Sequence, residues 1–234
     1  MFFGNGLGGG EGRGRTIARI TGALIMCAAY TATLGAQIRR PRASAQVASY
    51  WVGVSYGLFE LGSMTDDATN GVWQFGYTSQ LSATLDKELG GGSTVGLMVG
   101  FASPNVTYSS ASASPGSACF FSSCTATTNV TQILGTARLG GGGSLGLRGG
   151  FVLQAGATQI GKFKEKATGN SLPGGGGWDP TLGTGFGLGY LLGRKTEIYF
   201  QTGFTFVLHA QESGSVNSTP PRSNALTFGV REGF

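Results

Sequence analysis

From Tyr50 onward, large apolar residues recur at every second position, and the residues between them are small or polar. A β-strand sends successive side chains to opposite faces, so this period predicts strands with one apolar and one slender face, not helices. Tyr50, Val52, Val54, Tyr56 and Leu58 form the first such face, with Gly53, Ser55 and Gly57 behind it. Trp73, Phe75, Tyr77, Leu81, Ala83 and Leu85 continue as one strand against Gln74, Gly76, Thr78, Gln80, Ser82 and Thr84. Val95, Leu97, Val99 and Phe101 follow, with Gly96 and Gly100 opposite. In the fourth strand, about 129–139, Ile133, Ala137 and Leu139 face one way, while Val130 and Leu134 share the face of Gln132, Thr136 and Arg138. Leu145, Leu147, Phe151, Leu153, Ala155 and Ala157 then oppose Arg148, Gln154, Gly156 and Thr158. Leu182, Phe186, Leu188, Tyr190 and Leu192 oppose four alternate glycines, and Ile198, Phe200, Phe204, Phe206 and Leu208 oppose Glu197, Gln201, Gly203 and Thr205. The eighth strand carries Leu226, Phe228, Val230 and Phe234 on one side and Thr227, Gly229, Arg231 and Gly233 on the other.

The connections alternate in length. Long polar stretches at about 62–71, 103–128, 161–180 and 210–224 are separated by short glycine-rich turns at 90–93, 140–143 and 193–195. Eight strands of about ten residues, joined alternately by long and short connections, match tilted strands that cross hydrocarbon with short turns on one side and longer loops on the other. A soluble eight-stranded barrel needs the opposite polarity, with apolar residues inside. An eight-stranded interior is only wide enough for side chains to fill it, and Trp73, Phe75, Phe101, Phe151, Phe186, Phe200, Phe204 and Phe206 are too bulky to fit there together. The Gly, Ser, Thr and Gln face is expected to line the interior.

The terminal segment Leu226 to Phe234 resembles the C-terminal signal strand of bacterial outer-membrane β-barrels, which finishes on Phe with apolar residues at alternate positions before it. It departs at Glu232, where that family usually carries an aromatic residue. Across about residues 47–234 the pattern resembles a small OmpA- or OmpX-type barrel. The resemblance implies an all-β, eight-stranded antiparallel up-and-down transmembrane barrel in the outer membrane. Its expected partners are the lipid bilayer, lipopolysaccharide and the barrel-assembly machinery, with Leu226, Phe228, Val230 and Phe234 as the insertion strand; the expected state is a monomer.

Composition sharpens this. The chain has 44 glycines and 7 prolines, about 22 % of its residues against an average of roughly 12 %, and only 12 % charged residues. No run of eighteen apolar residues follows the N-terminal region, which argues against a helical membrane protein. The formal charge of +5 belongs to residues 1–45, where six arginines stand against Glu11 alone, while residues 46–234 carry ten basic and ten acidic side chains. No basic face is left to neutralise nucleic acid. Arg13, Arg15 and Arg19 precede an apolar stretch, Ile20 to Ala36, which is the order of a secretory signal peptide. The expected division is a leader at 1–45, cleaved after Ala45 or after Ala36, and a barrel at 46–234.

The candidate chemistry is sparse. Asp86, Arg138, Arg148, Glu197 and Arg231 fall on the inward face near the short-turn ends of their strands, and enclosed charges are costly unless paired, so they are expected to form an ion-pair cluster. Cys119 and Cys124 are expected to form a disulfide that staples the second long loop outside the cell. His209, Glu212, Ser213 and Ser215 hold the residue types of a Ser-His-acid site, but neighbours on one loop do not readily converge, and no nucleophile elbow is present. No catalytic residue, cofactor or metal is expected. The expected role is structural or adhesive, with a side-chain-filled interior and loop tips such as Cys119 to Phe121 and Lys162 to Lys166 as contact surfaces. The alternatives are a narrow porin-like channel and an outer-membrane lipid-modifying enzyme.

Overall fold

A computed structural model describes residues 48–66, 71–109, 123–142, 146–172, 176–208 and 222–234. These all fall within one compact unit, Ser44–Phe234. The strands in chain order are β1 (Tyr50–Leu61), β2 (Met64–Asp66), β3 (Gly71–Phe75), β4 (Thr78–Gly90), β5 (Ser93–Ala102), β6 (Asn105–Ser109), β7 (Ser123–Thr127), β8 (Val130–Gly142), β9 (Gly146–Ile160), β10 (Lys164–Glu165), β11 (Trp178–Leu192), β12 (Thr196–Val207) and β13 (Arg222–Gly233).

Eight of them close into an antiparallel barrel in the order β1-β13-β12-β11-β9-β8-β5-β4. Closure is made by β1, which pairs with its sequence neighbour in the barrel, β4, and with the last strand, β13; Tyr56 lies opposite Leu81 on one side and Phe228 on the other. A closed barrel leaves no unpaired edge, which is what lets strands cross a medium that offers the backbone no hydrogen bonds. The two-residue side-chain period sets which residues enter the interior. Phe151 is 48 % exposed and Phe204 41 %, both facing away from the axis, whereas Gln80 and Gln132 are almost fully enclosed. The apolar belt on the outside includes Tyr56, Leu81, Leu97, Phe101, Ile133, Leu139, Leu147, Leu182, Phe200 and Phe228. Val130 and Leu134 in β8 turn inward beside Gln132 and Thr136, as the alternation in that segment implies.

The connections at one end are not simple loops. A second, five-stranded sheet is built there, in the order β10-β7-β6-β3-β2. This corrects the reading of 62–71, 103–128 and 161–180 as loops throughout. It also corrects the reading of Trp73 to Leu85 as one membrane-crossing strand with Trp73 and Phe75 on its outer face. The pairing breaks at Gly76 and Tyr77, so β3 joins the second sheet while β4 begins the barrel wall. Trp73 and Phe75 are consequently buried, in a cluster with Phe59, Leu61, Met64, Val106, Tyr108, Val130, Ile160, Phe163 and Leu172. Phe163 also turns inward, in the middle of the Lys162 to Lys166 run, leaving the three lysines exposed. The physical reason is that alternation predicts two faces without saying what each meets. Above the belt the apolar face can be covered by protein instead of lipid. Just outside this cluster the phenol of Tyr77 is raised above its ordinary range by a hydrogen bond to Glu60, with that carboxylate's charge adding to the effect.

Candidate functional site: the filled lumen

The barrel interior has three layers between its ends. At the short-turn end, β4 contributes Asp86 and Glu88, β9 Arg148, β12 Glu197 and β13 Arg231, all pointing inward by parity. Cross-strand register places Glu197 directly opposite Arg231, and Asp86 opposite Trp51. Arg231 bridges two carboxylates, with Nη2 2.9 Å from Glu197 Oε2 and Nη1 3.3 Å from Asp86 Oδ2. Arg148 Nη1 lies 3.5 Å from Glu197 Oε2 and 3.6 Å from Glu88 Oε2. The chain of contacts therefore runs Glu88, Arg148, Glu197, Arg231, Asp86, and Thr136 donates a further hydrogen bond to Asp86 Oδ1 at 3.3 Å. Trp51 lies fully buried against this chain, its ring 5.0 Å from the Arg231 guanidinium and 5.8 Å from that of Arg148. Glycine makes the room, since a Cβ on Gly96 would overlap Asp86 and one on Gly189 would overlap Glu197. Such ionic hydrogen bonds, shielded from water, offset the desolvation that would otherwise drive charges from a narrow interior.

The middle layer is uncharged and polar, with Arg138 at its boundary with the ion pairs, bordering the cavities on both sides. Gln80 Nε2 donates to Gln132 Oε1 at 2.7 Å, Gln132 Nε2 to Thr158 Oγ1 at 3.3 Å, and Thr181 Oγ1 to Thr158 Oγ1 at 2.9 Å, linking four strands across the lumen. Among the described residues, one cavity of about 30 Å³ is lined by this layer and another of about 30 Å³ lies beside the ion pairs. The third layer is the apolar cluster beneath the second sheet, where Trp73 packs 4.4 Å, centroid to centroid, from both Tyr108 and Phe163.

The structure brings Asp86, Arg148, Glu197 and Arg231 into one network. Arg138 is close by but makes no ion pair within 4.0 Å among the described residues, and its guanidinium instead lies 4.9 Å from the Tyr199 ring. Glu88, Trp51 and Tyr199 join the site without having been singled out by sequence reasoning. Parity holds the signal for each: Glu88 is two residues from Asp86, Trp51 is two from Gly53, and Tyr199 is two from Glu197. Leu226, Phe228, Val230 and Phe234 face outward, and Phe234 stacks on Tyr50 at 6.2 Å where the last strand meets the first. Cys124 packs, partly buried, against the apolar cluster, while Cys119, His209, Glu212, Ser213 and Ser215 lie outside the described residues. Among the described residues no three His, Cys, Asp or Glu side chains converge to hold a metal ion.

No protein-family model matches the chain, and no curated protein sequence matches it. Solved structures do. Neisserial surface protein A aligns over 81 % of this chain and 99 % of its own, with a TM-score of 0.51 at 11 % identity. A major outer membrane protein from Thermus thermophilus aligns over 79 % of this chain and 99 % of its own, with a TM-score of 0.51 at 16 % identity. The chain has the fold of the small eight-stranded outer-membrane β-barrels. At such identities the likeness speaks for the fold alone. The outward belt is an independent physical reason for placing the barrel in a bilayer, because an apolar girdle of this extent in water would drive aggregation. The barrel thus turns its apolar belt outward, toward lipid, and encloses its polar groups.

Proposed function

We propose that this outer-membrane barrel is a closed, surface-displaying protein that acts by interaction, with transport through its lumen blocked. The observation that carries the reading is the double seal. Ion pairs fill the short-turn end, an apolar cluster fills the other, and the two cavities, of about 30 Å³ each, offer room for little more than water. Planar-bilayer recording on the refolded protein should show no steady conductance. A reproducible open level at neutral pH would sink the reading and restore the narrow channel.

The second sheet is then the displayed element. Its face away from the apolar cluster carries Gln74, Asn105, Thr107, Ser109, Ser123 and Thr125, all exposed, with Lys164 on the edge strand and Lys162 and Lys166 beside it. Amide, hydroxyl and ammonium groups of this kind suit a sugar-rich, partly anionic surface such as lipopolysaccharide or a neighbouring cell's glycans. The barrel acts as a monomer without catalytic residues, and its C-terminal strand is the segment read by the barrel-assembly machinery. Cys119 and Cys124 form a disulfide that fixes the tip of the second long connection. Reductant should raise the intact mass by two protons, and an unchanged mass with two alkylatable thiols would refute the pairing.

A further inference from the structure

The cavity at the short-turn end has an uneven charge. It is lined by Arg138, Arg148 and Arg231 but by only one carboxylate, Glu197, together with Tyr199 and a wall of glycines. Over the whole plug three arginines meet three carboxylates, yet among the described residues the ion pairs there are made by Arg148 and Arg231. Among the described residues Arg138 has no carboxylate within reach, and its Nε is buried without a hydrogen-bond partner. The Tyr199 hydroxyl, on a residue 3 % exposed, and the Arg231 Nε are likewise buried without one.

A guanidinium offers five N–H donors and no acceptor, so what this pocket lacks is an acceptor. Water would meet the hydrogen bonds but put no negative charge beside Arg138, a half-buried residue whose enclosed Nε faces no carboxylate among the described residues. The volume, about 30 Å³, suits a monatomic ion rather than a phosphate or a carboxylic acid. We propose that this cavity is a halide-sized anion site, chloride being the natural occupant, with Arg138 as its anchor and Tyr199 and Arg231 as further donors. Because the pocket lies at the short-turn mouth, it exchanges with the compartment on that side and does not require the barrel to conduct.

Chlorine NMR on the full barrel, refolded in micelles with gluconate as the counterion, tests this. Added chloride should show saturable excess line broadening that bromide displaces. Arg138→Gln should abolish it. Gly187→Met should abolish it too while leaving every charge in place, since a Cβ at 187 makes only ordinary contacts, 3.7 Å from Phe200 O and 3.8 Å from Val152 Cγ2, and a longer side chain would fill the pocket. Heat-modifiable gel migration confirms that each variant is folded. Crystals of the wild type grown with bromide provide a reading that needs no variant, with an anomalous peak expected beside Arg138. Absence of both broadening and peak, or a folded Arg138→Gln barrel that broadens chloride as the wild type does, overturns the proposal in favour of water.

Discussion

Replacing Glu197 by alanine should destabilise the barrel by about 3–5 kcal/mol, the range for removing one partner from a buried ion pair. Glu197 Oε2 receives both Arg148 and Arg231, so its loss strips a contact from two guanidinium groups at once. Asp86 still holds Arg231, at 3.3 Å, and Glu88 still lies 3.6 Å from Arg148, which places the effect toward the lower end of that range. Glu197→Gln keeps the shape and an acceptor and should cost less. The instructive control is the double change of Glu197 and Arg231 to methionine, because exchanging a buried pair for apolar side chains of similar volume is often neutral or stabilising. Urea titration in lipid vesicles, followed by tryptophan emission, measures all three, and Trp51 reports directly because it lies against Arg148 and Arg231. Equal stability of Glu197→Ala and wild type would mean that the plug is hydrated and carries no structural weight.

The plug is legible in sequence for a specific reason. Side-chain period is a local property, so once a strand is recognised, the inward or outward direction of every residue in it follows. Parity alone places Asp86, Arg148, Glu197 and Arg231 inside, and it already contains Glu88. Which inward residues touch is set by the stagger of eight strands, a non-local quantity. That is why Arg138 can be assigned to the lumen but not to its position over Tyr199. Trp73 and Phe75 mark the other limit. Their alternation is indistinguishable from that of Phe151 and Phe204, yet protein covers the first pair while the second faces away from the barrel axis. Only the break at Gly76 and Tyr77 separates the two cases. A glycine beside an aromatic gives no sign that the chain changes sheets there.

Trp73 carries the second large effect. Truncating a buried tryptophan to alanine costs about 3–5 kcal/mol, and here the loss falls on the second sheet, because Trp73 packs at a tilt against Tyr108 and stacks on Phe163 and so ties β3 to β6 and to the lysine-rich segment. The sheet has five strands of two to five residues each, too short for much independent stability, whereas the barrel below is held by continuous ladders around its whole circumference. Trp73→Ala should therefore loosen the sheet and leave the barrel standing. Heat-modifiable migration should be unchanged, while protease sensitivity and amide exchange rise in β2, β3, β6, β7 and β10. Trp73→Phe, which preserves a ring but leaves part of the space empty, should fall between. If the variant instead lost the barrel's gel shift, the apolar cluster would be part of the barrel's own folding core. If protease resistance in the sheet did not change, the cluster would not be what holds the displayed surface in place. Either result would remove the basis for treating the sheet as a separately tunable contact surface seated on a rigid membrane anchor.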